Sequence, residues 1–303
     1  MVVNADWIAV DWGTSSLRVW AMSEAGEALA EIRSDQGMGR LERNEFEPTL
    51  MTLIADWLDT RATPIRIVVC GMAGAAQGWA DAGYAAVPCK PETAATTPVA
   101  TASPRIDVRI LGGVSQLNPA DVMRGEETQI AGFHALHPNF DGVICLPGSH
   151  TKWAHVSAGE IVSFQTFMTG EMFAALSGHT VLRHSIDSEQ WDDAAFAEAL
   201  SDTLSRPEKL ASKLFGIRAR GLVDTQSTAE ATARLSGYLI GAEIAAAKPY
   251  WLGQNVALVG DARLCDRYAT ALDAQGITAQ RADVTQLTLA GLTAAYRNSK
   301  ASS

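Results

Sequence analysis

Residues Ile8–Ile32, IAVDWGTSSLRVWAMSEAGEALAEI, and residues Val143–Phe167, VICLPGSHTKWAHVSAGEIVSFQTF, carry one pattern twice. Each reads as a strand, a Gly/Ser/Thr turn, a second strand, a Gly-containing turn and a third strand. Gly13 corresponds to Gly148, Arg18 to Lys152 or a near neighbour, and SEAGE to SAGE. A βββ meander written twice implies a duplicated architecture, and the segments downstream of each copy decide its kind.

After each copy the pattern alternates helix and strand. In NEFEPTLMTLIADWLDT the apolar residues Phe46, Leu50, Leu53, Ile54 and Leu58 fall at helical spacing, and IRIVVCG (residues 65–71) is a buried strand. DVRIL (107–111) closes the first half. The second half continues with helices in DAAFAEALSDTL, SRPEKLASKLFGIRARGLV and STAEATARLSGYLIGAEIAAA. Two of these open with capping-box spacing, Ser205 with Glu208 and Ser227 with Glu230. A strand in NVALVG, a helix through RLCDRYATALDAQG, a short strand ITAQRA and a last helix in TQLTLAGLTAAYRNS complete it. The sequence therefore predicts an α/β protein of two ribonuclease-H-like βββαβαβ domains with an interdomain cleft, residues 1–115 and 116–303, joined where GGVSQLNPAD supplies breakers. PETAATTPVATASPR (residues 91–105) reads as a surface loop.

Composition bounds the partners. A chain of 303 residues suits two domains, and 34 acidic against 24 basic residues give a formal charge of −10. Such a surface repels nucleic-acid phosphates and anionic membranes, while a cleft can still hold local cations for a small anion. Cys70, Cys89, Cys145 and Cys265 have no metal or redox spacing and read as free thiols. With no leader pattern and no apolar run of the ~18 residues that span a bilayer, the expected location is cytoplasmic. A homodimer is compatible with these features.

Four segments carry chemistry. In DWGTSSLR, Asp11 ends a strand and Gly13, Thr14, Ser15 and Ser16 turn, presenting N–H groups and hydroxyls to a phosphate while the carboxylate is placed to hold a hydrated Mg²⁺. Read alone, the same residues make an ordinary hairpin; the recurrence favours the phosphate reading. The second copy places Gly148, Ser149, His150, Thr151 and Lys152 in the same kind of turn, with Lys152 a point charge for phosphoryl oxygens. In MRGEETQIAGF, Glu126 and Glu127 open a helix, where a carboxylate is favoured electrostatically and can take a hydroxyl proton. Finally, NVALVGDAR ends a strand in Gly260, which lets a flat ring approach the backbone. Ser149 beside His150 is not a hydrolase pair, because strand neighbours face opposite ways and no G-x-S-x-G elbow is present. The histidines form no metal pattern.

In this order, DWGTSSLR, LPGSHTKW and VALVGDAR resemble the first phosphate, second phosphate and adenosine motifs of the sugar kinase/actin/Hsp70 superfamily. GEETQIAGF is similar to the Gly-Asp-Gln-Gln segment of carbohydrate kinases and to the Gly-Glu-Glu segment of exopolyphosphatases, which makes Glu126 the base and Glu127 its rival. The strings VVCGMAGAAQGWADAGYAAVPC, SQLNPADVMRGEETQIAG, LPGSHTKWAHVSAGEIVSFQTFMTGEMFA and LFGIRARGL resemble 2-dehydro-3-deoxygalactonokinases over nearly the whole chain. The resemblance implies transfer of the ATP γ-phosphoryl group to the 6-hydroxyl of 2-dehydro-3-deoxy-D-galactonate in galactonate catabolism, with ATP and Mg²⁺ as cofactors. It adds Gln77 and Trp79 as pocket residues; Arg18, leaving the first hairpin near the cleft, is a candidate cation for the acceptor carboxylate, and equally reads as a surface arginine because strand neighbours alternate faces. The competing readings are an exopolyphosphatase-like phosphohydrolase, disfavoured by the lack of a basic channel, and an ATP-driven binding module, for which the chain leaves little room.

Overall fold

Alternating large apolar side chains in the first repeat fix a sheet covered on both faces. The computed structural model describes residues 4–58, 63–91, 96–187 and 189–301. The first meander is β1 (Trp7–Trp12), β2 (Leu17–Met22) and β3 (Ala28–Ser34), followed by α1 (Phe46–Leu53), β4 (Ile65–Gly71), β5 (Tyr84–Ala86), β6 (Thr96–Val99), β7 (Ile106–Leu111), β8 (Gly113–Leu117), β9 (Ala120–Met123) and α2 (Glu126–Leu136). The second meander is β10 (Gly142–Leu146), β11 (Thr151–Ser157) and β12 (Glu160–Phe167). After it come α3 (Thr169–His179), α4 (Asp193–Ser205), α5 (Leu210–Val223), α6 (Thr228–Ala246), α7 (Lys248–Trp251), β13 (Val256–Gly260), α8 (Ala262–Asp273), β14 (Gln280–Asp283) and α9 (Val284–Ala301).

The duplication is visible in strand order. One sheet runs β3-β2-β1-β4-β7-β6 and another β12-β11-β10-β13-β14, so each meander is extended from its first strand by the later strands of its own half. β1 pairs antiparallel with β2 and parallel with β4, and β10 pairs parallel with β13. Contacts divide the chain into a first unit, Met1–Asp141 with Val156–Ser163 and Asp283–Ser303, and a second, Gly142–His155 with Phe164–Ala282. Residues 115 and 116 both lie inside the first unit, which also takes back the C-terminal helix.

In the first unit, Ile8, Val10 and Trp12 face α1 and its C-terminal turn (Phe46, Leu50, Ile54), whereas Trp7 and Ala9 face Leu292, Ala295 and Tyr296 of α9. Trp7 and Tyr296 stack with centroids 4.4 Å apart. α9 also presses on α2: a Cβ at Gly132 would lie 1.9 Å from the Leu287 carbonyl oxygen, and one at Gly291 2.0 Å from that of Thr128. Only glycine permits this backbone approach, and it fixes the helix that begins at Glu126. In the second unit, Val143, Cys145, Trp153 and Leu258 pack under α4, α6 and α8.

Several local expectations change. GGVSQLNPAD is not a linker: β8 and β9 form an antiparallel hairpin, and β5 joins β8 in a separate three-stranded sheet. In the stretch expected to be a surface loop, Thr96–Val99 pairs antiparallel with β7, while residues 92–95 lie outside the described residues. Ser205 ends α4 rather than opening a helix, and Pro207–Lys209 form a short 3-10 turn before α5, so that capping box is absent. Ser227 and Glu230 do form theirs. α3 has no counterpart among the expected helices.

Candidate active site

Three chain segments of the first unit converge where β1 and β4 end. Asp11 lies opposite Arg18 on β2 and Cys70 on β4. Its Oδ2 accepts from Arg18 Nη2 at 2.6 Å and Nε at 3.2 Å, and its Oδ1 has the Cys70 thiol at 3.8 Å. Arg18 Nη1 donates to Thr285 Oγ1, and the guanidinium lies over Trp20, 5.2 Å from its centroid. The expected carboxylate-binding arginine is thus held by its own strand neighbour. Past Asp11, Thr14, Ser15 and Ser16 are exposed in the turn, closed by Gly13 N–H to the Ser16 carbonyl.

Gly71, with φ +86°, and Gly125, with φ +107°, adopt the left-handed region that glycine tolerates. A Cβ on Gly71 would lie 2.7 Å from the Trp12 carbonyl oxygen, and one on Gly125 3.4 Å from the Gly71 Cα. The start of α2 is thereby brought against the end of β4, beside Asp11. There the two candidate acids differ sharply. Glu126 is half-buried and accepts from the Arg124 N–H at 3.1 Å. Glu127 is 1% exposed; both its oxygens accept from the Gly125 N–H, at 2.9 and 2.7 Å, and one from the Thr128 hydroxyl. Burial, reinforced by the Glu126 charge, pushes the Glu127 carboxyl up to about 8. Burial also raises the Cys70 thiol, with Asp11 and Glu127 adding to it.

Of the expected pocket residues, Gln77 is exposed on the loop after β4, held where Arg43 donates to the Ala76 and Gly78 carbonyls. Trp79 is placed elsewhere: it is buried against Trp12 and Phe46 and serves the core beneath that loop.

In the second unit, Ser149 and His150 are exposed in the turn between β10 and β11, while Gly148 is half-buried. The turn is strapped to α3: the Glu171 N–H donates to the Ser149 carbonyl, His150 pairs with the Glu171 carboxylate, and a Cβ at Gly170 would sit 2.3 Å from the Gly148 carbonyl oxygen. Thr151 points inward, its hydroxyl 3.0 Å from Tyr268 Oη. Tyr268 and Trp153 Nε1 both donate to the buried Glu243 carboxylate, at 2.7 and 2.8 Å. Burial raises Glu243 despite these bonds. Lys152 is 5% exposed and folds back to the His150 carbonyl. A cavity of about 100 Å³ lies beside the turn, lined by Gly148, Thr169, Gly170, Phe173, Arg267 and Tyr268 among others. Gly260 ends β13 against the Pro147 carbonyl, and Asp261, with no role in the sequence reading, caps α8 by accepting from the Leu264 N–H.

Among the described residues no group of three or more His, Cys, Asp or Glu could hold a metal ion. Mg²⁺ needs none, since it keeps waters and rests on one or two carboxylates plus substrate phosphates. Asp11 fits that pattern, because Arg18 occupies one oxygen and the other meets only a thiol. No helix among them is long and apolar enough to cross a membrane.

The 2-keto-3-deoxy-galactonokinase family model matches residues 11–295. A relative from Rhizobium meliloti (strain 1021), named a probable 2-dehydro-3-deoxygalactonokinase, is 40% identical over 98% of both chains. The 2-dehydro-3-deoxygalactonokinase of Escherichia coli (strain K12) is 32% identical over 90% of this chain and 91% of its own. A crystal structure from Sinorhizobium meliloti, provisionally described as a 2-dehydro-3-deoxygalactonokinase protein, superposes with a TM-score of 0.89 at 39% identity, covering 96% of this chain and 98% of the other. The doubled topology is the actin-like ATPase fold. With the match spanning the first turn, the start of α2, the second turn and β13, the chain belongs to the 2-keto-3-deoxy-galactonokinase family.

Proposed function

We propose that this chain transfers the γ-phosphoryl group of ATP to the 6-hydroxyl of 2-dehydro-3-deoxy-D-galactonate, giving ADP and the 6-phosphate. The observation that carries the reading is the convergence, at the ends of β1 and β4, of an exposed Thr/Ser turn, a carboxylate with one oxygen that meets only a thiol and a helix start bearing a half-buried acid. Family membership favours a sugar-acid acceptor over a phosphohydrolase of the same superfamily.

Glu126 is the general base. The acceptor hydroxyl does not ionise at pH 7, so the carboxylate takes its proton as the new O–P bond forms and the bond from the γ-phosphorus to the ADP oxygen breaks, help worth roughly 10²- to 10⁴-fold. Glu127, closed from solvent, holds the Gly125 N–H and thereby the loop that aims Glu126. Asp11 would hold Mg²⁺, which would supply charge neutralisation for the phosphates. Gly13–Ser16 and Gly148–His150 offer N–H groups and hydroxyls to the phosphates, with the Lys152 charge behind the second turn. Gly260 and the cavity beside Gly148 serve the nucleoside end.

The test is a coupled ADP-release assay across 2-keto-3-deoxy sugar acids, plain aldoses, glycerol and water. Release with the galactonate-derived acid and little with water is expected; equal release with water alone contradicts the kinase reading.

A further inference from the structure

We infer that Arg124 binds the carboxylate of the acceptor and so selects a sugar acid over a neutral sugar; this rests on the kinase reading above. A carboxylate on a protein of net charge −10 needs a dedicated cation. Arg18 is committed to Asp11, and Arg43 spends two nitrogens on backbone carbonyls.

Arg124 is different. It stands directly after β9 and two residues before Glu126, and its own N–H holds the Glu126 carboxylate. Its Nη2 donates to the Gly83 carbonyl at 3.0 Å, but Nε and Nη1 are buried with no hydrogen-bond partner. No carboxylate among the described residues pairs with it. Buried polar groups are nearly always satisfied, and an unsatisfied charged donor is costlier than a neutral one. The fold nevertheless keeps this one and makes room for it: a Cβ at Gly74 would lie 2.8 Å from Nη1. The guanidinium lies under the Tyr84 ring, 4.3 Å from the centroid, and Tyr84 is 47% exposed, so this ring is the side a ligand displaces. A planar guanidinium with two uncommitted nitrogens suits a carboxylate, which accepts two parallel bonds. Arg124 thus couples recognition to chemistry: the residue that meets the acid group also bonds the proposed base.

The experiment compares wild type, Arg124→Met and Arg124→Lys with two acceptors, 2-dehydro-3-deoxy-D-galactonate and its carboxamide, by steady-state kinetics and by calorimetric binding of each acceptor. Wild type is expected to favour the acid. In Arg124→Met, kcat/KM for the acid should fall about 10- to 100-fold and its binding weaken, the carboxamide should change little, and the ATP KM should stay within about threefold. Arg124→Lys should fall between, keeping charge without the planar fork. An undiminished acid-over-amide preference in folded Arg124→Met overturns the inference. Failure of wild type to bind or phosphorylate the acid overturns instead the kinase reading. With two of its three nitrogens unpaired, Arg124 contributes little to stability, so a collapse of folding in both variants also counts against a ligand-binding role and for a structural one.

Discussion

Asp11 and Arg18 face each other in register across β1 and β2, joined by an ion pair at 2.6 Å with both side chains about one fifth exposed. Under the proposed mechanism this pairing makes Arg18 an orienting partner of the Asp11 carboxylate rather than an acceptor contact. Asp11→Asn should lower kcat by about 10²-fold or more with the protein folded. Arg18→Ala should lower kcat with the acceptor KM changed less than about threefold, as measured with ATP, Mg²⁺ and acceptor varied separately. A selective rise in acceptor KM would return Arg18 to the substrate.

Glu127 gives a pH signature. Its carboxyl, raised from 4.5 to about 8 by burial, is favoured in the protonated form by the fold. Its contribution to stability is full below the unfolded-state pKa of 4.5 and is lost as pH rises through about 8, at up to about 1.4 kcal/mol per pH unit. Glu127→Gln, neutral throughout, should gain stability relative to wild type as pH rises from about 5 to about 8. Urea unfolding across that range checks this; parallel curves would mean that Glu127 is ionised at neutral pH.

The α2–α9 contact should tolerate no side chain. Gly132→Ala places a methyl 1.9 Å from a backbone carbonyl oxygen, so destabilisation of about 1–3 kcal/mol or more is expected in denaturant melts. Gly216→Ala, on α5 with no atom within 4 Å of the new Cβ, should be neutral or slightly stabilising.

Tyr268→Phe removes the hydroxyl that links Thr151 to Glu243 behind the second turn, leaving a buried carboxylate oxygen short of a donor. A loss of about 1–3 kcal/mol is expected, with a rise in ATP KM and no rise in acceptor KM. Equal rises in both would separate this network from the nucleotide.

The repeat was legible because the meanders place Trp, Val and Ile at strand spacing around matching Gly turns. The elements that escaped had no such signal. α3 buries only Thr169, so TGEMFAALSGH shows no apolar stripe to read. The hairpin of β8 and β9 turns at Asn118–Pro119, residues that look like breakers until their flanks pair. Ser205 has the cap spacing of Ser227, but it is the last residue of α4. Of the candidate site, Asp11, Glu126 and the two turns stand out in the sequence as motifs. The inward Thr151, the core role of Trp79 and the two unpaired nitrogens of Arg124 depend on which neighbours tertiary packing supplies.

Transfer to a sugar-acid hydroxyl is measured most plainly by the product balance. Wild type incubated with ATP, Mg²⁺ and 2-dehydro-3-deoxy-D-galactonate, followed by phosphorus NMR and mass spectrometry, should give ADP and a sugar-acid 6-phosphate in equal amounts, with Glu126→Gln slower by at least about 10²-fold. ADP accompanied by an equal amount of inorganic phosphate and no phosphorylated acid would contradict phosphoryl transfer to the sugar acid.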